Sequence, residues 1–274
     1  MSEVGKKLRL NRICPAGRRS LFVAFDHALV LGPIAGTIDP ATQIRRFAES
    51  DVDAILMNFG MVRRLADSML VESPPGLILR LDWTSLWTAA ESRRKLVSRT
   101  LGTVADAVCC GADAVLTYLF IGTGDAQFES DEIGRNAAIA RECERLGVPL
   151  IVESLARGPQ IDNPRALEWM NLHTRVAAEI GADLIKTEYT GDPASMAEVV
   201  KNCPIPVMVL GGARQGSDED ALEIIAGAVA AGAAGVFFGR NVFQSNGISE
   251  FLRQARRILD HAAALDQVTA RPGD

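Results

Sequence analysis

The amino-acid sequence predicts an α/β fold, a single-domain (β/α)8 barrel of the TIM type. Three observations lead there. Short apolar runs alternate with amphipathic helical stretches eight times along the 274 residues. The runs are apolar on both faces, as strands of a parallel sheet covered by helices must be. Eight such units also fit the roughly 250 residues that this barrel uses. The competing doubly wound open sheet usually carries G-x-G-x-x-G after its first strand, and none follows the first strand here.

Taken in order, the predicted strands are 21–25, 54–58, 77–81, 114–119, 150–154, 184–187, 207–210 and 235–238. After the first comes "PATQIRRFAES", with Asp39 as N-cap and Pro40 at the first helical position. "DEIGRNAAIARECERLG" spaces its apolar residues at three and four and stops on Gly147. "RALEWMNLHTRVAAEIG", "ASMAEVVKNC", "DEDALEIIAGAVAAG" and "ISEFLRQARRILDHAAAL" follow the same pattern. The connection between the third and fourth strands is longer and holds "TLGTVADAVCCG". Three helices end in "CGADAV", "IGADLI" and "AGAAGV", a glycine C-cap followed by small residues entering a strand. That phrase predicts one αβ turn used three times. Residues 1–19 read as an N-terminal extension, 20–262 as the barrel and 263–274 as a C-terminal tail.

Composition removes several function classes. Hydrophobic residues make up 48% and charged residues 23%, with a net charge of −5. No basic run with interleaved aromatics points to nucleic acid. The start "MSEVGKKLRLNR" lacks the apolar region of a secretory signal, and no apolar stretch reaches the roughly 18–20 residues of a membrane span. The five cysteines show no C-x-x-C spacing and read as reduced thiols of a cytoplasmic protein. Histidine occurs at 27, 173 and 261 without H-E-x-x-H, so a His-rich metal site is not expected.

In such a barrel the chemistry gathers where strands end. Those ends are Asp26-His27, Asn58, Arg80 with Asp82, Tyr118, Glu153 with Arg157, Lys186 with Glu188 and Tyr189, Gly211-Gly212 with Arg214, and Gly239-Arg240-Asn241. Lys186 ends an apolar strand, where lysine is unfavourable. It is either the ion-pair partner of a carboxylate or an amine that attacks carbonyls to form a Schiff base. Asp26 either caps a loop or moves a proton. His27 faces the opposite side if its strand runs on. The loops "VLGGARQG" and "FFGRNVFQ" pair glycines with Arg214 and Arg240, which suits a phosphate at the seventh and eighth strand ends.

"FDHALVLGP", "ADLIKTEYTGD", "VLGGAR" and "GRNVFQ" together resemble the class I aldolases of the archaeal fructose-bisphosphate aldolase type. That group includes aminodideoxyheptulosonate synthases and a thiolase of phosphorylated autoinducer-2. The resemblance runs from about residue 20 to 262. It implies a barrel that uses neither metal nor cofactor, with Lys186 as the Schiff-base lysine and Asp26 as an acidic partner. It also implies a phosphate site at Gly211, Gly212, Gly239 and Arg240, and a homo-oligomer, often a pentamer or decamer.

One departure matters. Where the family has Y-P-R-G, this chain has Leu155-Ala156-Arg157-Gly158, and leucine carries no proton. Glu153 shares a face with Leu155 by alternation and is the first substitute, with Tyr118 the second; Asp26 acting alone is a third possibility. His27, Arg157 and Glu188 are expected substrate contacts. Arg80, Asp82, Trp83 and Trp87 near the mouth suggest a bulkier or more charged substrate, or simple packing of the tryptophans. The expected function is a class I aldolase on a phosphorylated keto compound. The alternatives are thiolase-like acyl transfer on a phosphorylated diketone, or a binding homologue that has lost catalysis.

Overall fold

The computed structural model describes residues 2–86, 96–214 and 216–269. Eight parallel strands close a barrel: β1 (Ser20–Ala24), β2 (Ala54–Asn58), β3 (Gly76–Arg80), β6 (Ala114–Ile121), β7 (Leu150–Ala156), β8 (Leu184–Thr187), β9 (Val207–Leu210) and β10 (Gly235–Phe238). They pair in that order, and β10 returns to β1. All eight expected strands are present with small shifts at their ends. β6 and β7 extend furthest beyond expectation because "YLFI" and "SLA" continue the pairing. A short antiparallel hairpin, β4 (Asp82–Thr84) with β5 (Ser98–Thr100), lies in the long connection after β3. Its strands are too short to leave a periodic signal.

Several of the helices between the strands open on side-chain caps. Helix α1 (Ser2–Ile13) precedes the barrel, and α2 (Ala28–Leu31) follows β1 directly. α3 (Pro40–Ala48) opens with the Asp39 carboxylate accepting from the Thr42 N–H at 3.1 Å. Next come α4 (Phe59–Leu65), α5 (Val104–Cys109), α6 (Ala126–Leu146), α7 (Leu167–Glu179), α8 (Pro193–Asn202) and α9 (Asp218–Ala230). α5 lies within "TLGTVADAVCCG" and starts with a Thr103–Asp106 capping box. The short α10 (Arg240–Phe243) leads into α11 (Ile248–Thr269). α11 runs past residue 262 because buried Leu252, Ala255, Leu259 and Ala263 keep its apolar spacing. The repeated turn is real: Gly111, Gly181 and Gly232 all have positive φ, and the next N–H bonds back to Ala107, Ala177 and Ala228 in turn.

Alternation along each strand divides the core. Leu21, Val23, Ile55, Met57, Val152, Ile185 and Val209 face outward against the helices. Phe22, Leu56, Ile78, Leu116, Ile151, Leu184, Met208 and Phe237 fill the barrel interior. Ile13, at the end of α1, belongs to this inner cluster, and Gly76 leaves room for it: a Cβ there would lie 2.3 Å from Ile13. One step further on the inner face, two residues on in each strand, stand Ala24, Asn58, Arg80, Tyr118, Glu153, Lys186, Leu210 and Gly239. The apolar floor gives way to a polar layer.

Candidate active site

A cavity of about 410 Å³ opens at the C-terminal ends of the strands. Lys186 is 4% exposed at its base, and its Nζ lies 3.0 Å from Glu153 Oε2 and 4.5 Å from the centre of the Phe237 ring. So the ion-pairing lysine and the cavity lysine are the same residue. Glu153 also accepts from Arg80, whose guanidinium donates to Asp26 as well and lies 3.4 Å from Asp82. Arg80 stacks 3.8 Å above the centre of the Tyr118 ring. Behind it, Asp82 is held by Arg135 and by the Tyr118 N–H at 2.8 Å. Arg135 in turn pairs with Glu132 at 2.7 Å. Charges alternate from α6 through the barrel wall to Lys186.

These neighbours set the protonation states. Burial alone would raise Asp26, yet the Arg80 charge holds it well below the usual carboxylate range. Burial likewise opposes ionisation of Glu153, but Lys186 and then Arg80 outweigh it and its pKa is lowered. Tyr118 is pushed well above the usual phenol, by burial first and then by the surrounding carboxylates, so it stays protonated. His27 is lowered to about 4, mainly by burial, with Lys186 and Arg240 adding to the effect against Asp26. It is neutral at pH 7.

β1 ends at Ala24, so His27 escapes the strand alternation that would have turned it away. Its ring lines the cavity beside Asp26, with Nδ1 3.4 Å from Asp26 Oδ1 but off hydrogen-bond alignment. Gly239 makes room for it, since a Cβ there would lie 2.3 Å from His27 Cε1. The cavity also brings together Arg157, Glu188, Gly211, Gly212 and Arg240. Arg157 donates to Glu188 at 2.7 Å. Gly212 has φ 67° and open space about its Cα. The Arg240 Nε is buried without a hydrogen-bond partner among the described residues.

Arg214 does not join the cavity lining. Its guanidinium pairs with Asp218 at 2.7 Å, one helical turn on, and reaches the Asn241 carbonyl. Trp83 sits in the β4–β5 hairpin and does not line the cavity, and Trp87 lies outside the described residues. Leu155 lines the cavity on the same face as Glu153, as alternation requires. It is packed with Tyr118, Phe120 and Phe128. Sequence reasoning missed the ring of Phe237 against Lys186 and the hub role of Arg80. The signal for Phe237 was its inner-face parity with Gly239.

The sequence profile of the DeoC/LacD family aldolases matches residues 20–245. The chain belongs to the DeoC/LacD aldolase family. It is 37% identical over 244 residues to the 2-amino-3,7-dideoxy-D-threo-hept-6-ulosonate synthase of Halobacterium salinarum, covering 89% of this chain and 87% of that one. An uncharacterised aldolase of Saccharolobus solfataricus is 31% identical over 271 residues, 96% and 97% of the two chains. Among solved structures, an archaeal fructose 1,6-bisphosphate aldolase superposes with a TM-score of 0.81 at 28% identity, covering 93% of this chain and 98% of that one. Another, an archaeal fructose-1,6-bisphosphate aldolase whose catalytic lysine is covalently bound to a carbinolamine intermediate, gives 0.80 at 28% identity, covering 92% and 98%. The chain is an enzyme of the aldolase type with a (β/α)8 barrel, and none of its described helices is long and apolar enough to cross a membrane.

Proposed function

We propose that this family member is a metal-independent class I aldolase, in which Lys186 forms an imine with a phosphorylated keto compound. The observation that carries the reading is a primary amine at the base of an open cavity, set between a carboxylate and an aromatic ring. The Lys186 ammonium passes a proton to Glu153, and the neutral amine so formed adds to the substrate carbonyl, giving a carbinolamine. Loss of water then leaves an iminium, which the returning carboxylate of Glu153 and the face of Phe237 stabilise. A base takes the proton of the substrate hydroxyl beyond the scissile bond. The bonding pair of that C–C bond moves into the iminium, releasing an aldehyde and leaving an enamine. Protonation of the enamine and hydrolysis regenerate the amine.

The hydroxyl proton goes to His27, which stands beside Asp26. Glu153 already holds Arg80 and Lys186, and Tyr118 lies under Arg80 with a raised pKa, so the two substitutes first suggested for the absent tyrosine are poorly placed as bases. His27 is a neutral imidazole whose Nδ1 has no hydrogen-bond partner among the described residues. Arg240, with the backbone at Gly211, Gly212 and Gly239, takes the phosphate. Sodium borohydride with dihydroxyacetone phosphate should leave a mass adduct on Lys186, and Lys186→Ala should lower kcat on the order of a thousandfold or more. Full activity in Lys186→Ala, with no adduct from a panel of ketose phosphates, would overturn the imine. Leu155 favours one second reading, acyl transfer, since that chemistry makes no demand on a tyrosine. Acetyl transfer from a phosphorylated diketone to coenzyme A, without aldol cleavage, would select it.

A further inference from the structure

Several of the charges around the cavity are already paired, and the pairing narrows the substrate. Four cations line it, Arg80, Arg157, Lys186 and Arg240, against three carboxylates, Asp26, Glu153 and Glu188. Arg80 is saturated by Asp26 and Glu153, with Asp82 behind. Lys186 holds Glu153 at 3.0 Å, and Arg157 holds Glu188 at 2.7 Å while also bonding the Ala156 carbonyl. Arg240 is different: it forms no ion pair among the described residues, and its buried Nε is unpartnered. A half-buried guanidinium whose buried Nε has no partner carries an unmet cost, so an anion brought by a ligand satisfies a group that the chain itself leaves unpaired.

The order of strands sets the direction of the rest of the ligand. Arg240 and the glycine loops follow β9 and β10, on one side of β8 and its Lys186. On the other side of β8 come β7 and β6. With the phosphate at Arg240 and the carbonyl at Lys186, the remaining carbon chain runs toward Leu155. That residue belongs to an apolar cluster with Tyr118, Phe120 and Phe128, against which Leu86, Leu96 and Leu210 pack. The groove next to the cavity offers no better place for a second anion, since exposed Arg165 shares it with Glu188, Asp220 and Glu223.

We propose that the substrate of this site is a monophosphate whose far end is uncharged and largely apolar, not a bisphosphate. This rests on the imine reading, which fixes the carbonyl at Lys186. A second phosphate would meet leucine or would have to break the Arg157–Glu188 pair, losing as much as it gains.

The test compares fructose 1-phosphate with fructose 1,6-bisphosphate in cleavage, and butanal with glyceraldehyde 3-phosphate in condensation with dihydroxyacetone phosphate. The monophosphate and the uncharged aldehyde should lead in kcat/KM by about tenfold or more. Calorimetric Kd values for glucitol 1-phosphate and glucitol 1,6-bisphosphate give the same ranking without turnover. Equal or better performance by the doubly charged ligands would overturn the proposal. Glu188→Gln releases Arg157 and should raise the bisphosphate-to-monophosphate ratio by about fivefold. A ratio that does not move would overturn the role given to that pair. Borohydride trapping separates the two levels. If no phosphate ester leaves an adduct on Lys186, the imine reading fails; if bisphosphate traps as well as monophosphate, this inference alone fails.

Discussion

At the N-terminal rim of the barrel, Asp53, Asp113 and Asp183 each accept an N–H at the start of the neighbouring strand, from Leu21, Leu77 and Leu150. Each also pairs with a cation on a flanking helix: Arg256 in α11, and Arg12 and Lys6 in α1. At the C-terminal rim, Asp26, Asp82 and Glu153 converge on the one guanidinium of Arg80. The lower carboxylates are separate from one another, and each pins one strand. The upper ones form a single coupled group, in which moving one charge changes all the others. The same residue types therefore serve local stability at one end of the barrel and a shared electrostatic state at the other.

Removing Arg80 should break that comparison most severely. Arg80→Met leaves Asp26 buried without its main cation and Glu153 with Lys186 alone, which costs about 3–5 kcal/mol of stability. It also lets both carboxylate pKa values rise, because burial is then opposed by fewer positive charges. Denaturant unfolding measures the first effect. The second appears as an acidic limb of the kcat/KM–pH profile that moves upward, toward neutrality, whereas Arg80→Lys should recover part of the shift. A destabilised variant with an unmoved pH profile would make Arg80 a structural residue only.

The two rims were unequally legible in the sequence. Lys186 is legible because an ammonium in an apolar strand contradicts its surroundings, and the glycine turns are legible because only glycine adopts their positive φ readily. The strands are legible because they are apolar on both faces. Arg80 is visible as a charge near the mouth, but its role is not. Its partners Asp26 and Glu153 lie 54 and 73 residues away, and β2 and β6 stand between their strands and β3. Only barrel closure makes them neighbours. The direction of His27 stays conditional in the sequence for a local reason: alternation predicts it only while the strand lasts, and β1 stops three residues earlier.

Acid should separate the effects of burial from those of pairing. His173, in α7, is 1% exposed, has Nδ1 3.0 Å from Ser154 Oγ, and is lowered to about 3 by burial and by Arg157. From its ordinary pKa of 6.5 down to about 3, the unfolded chain binds a proton that the folded chain refuses. Stability therefore falls as pH falls, by about 1.4 kcal/mol per pH unit for each such histidine. His27, at about 4, behaves alike over the upper part of that range. His173→Gln should remove about half of the stability slope between roughly pH 5 and 6, whatever it does to stability at pH 7. Urea unfolding across that range gives the slope, and an unchanged slope would mean that His173 is protonated in the folded state.

The smallest expected effect belongs to the lower rim. Asp183→Asn keeps a carbonyl oxygen for the Leu150 N–H but gives up the charge that faces Lys6 at 3.0 Å. Lys6 retains Glu144 at 2.6 Å, so its ammonium is not stranded. The partly exposed pair and the weakened acceptor together should cost about 1 kcal/mol, lowering Tm by roughly 2–4 °C. kcat/KM and its pH profile should stay where they are, because no charge of the upper group touches Asp183. If Asp183→Asn shifted that profile as Arg80→Met does, the two rims would be electrostatically coupled through the barrel, and the division between a stabilising end and a reactive end would fail. A change in Tm alone keeps the ends independent, because the intervening floor of Phe22, Leu56, Ile151, Leu184 and Phe237 holds no ionisable group to carry the coupling.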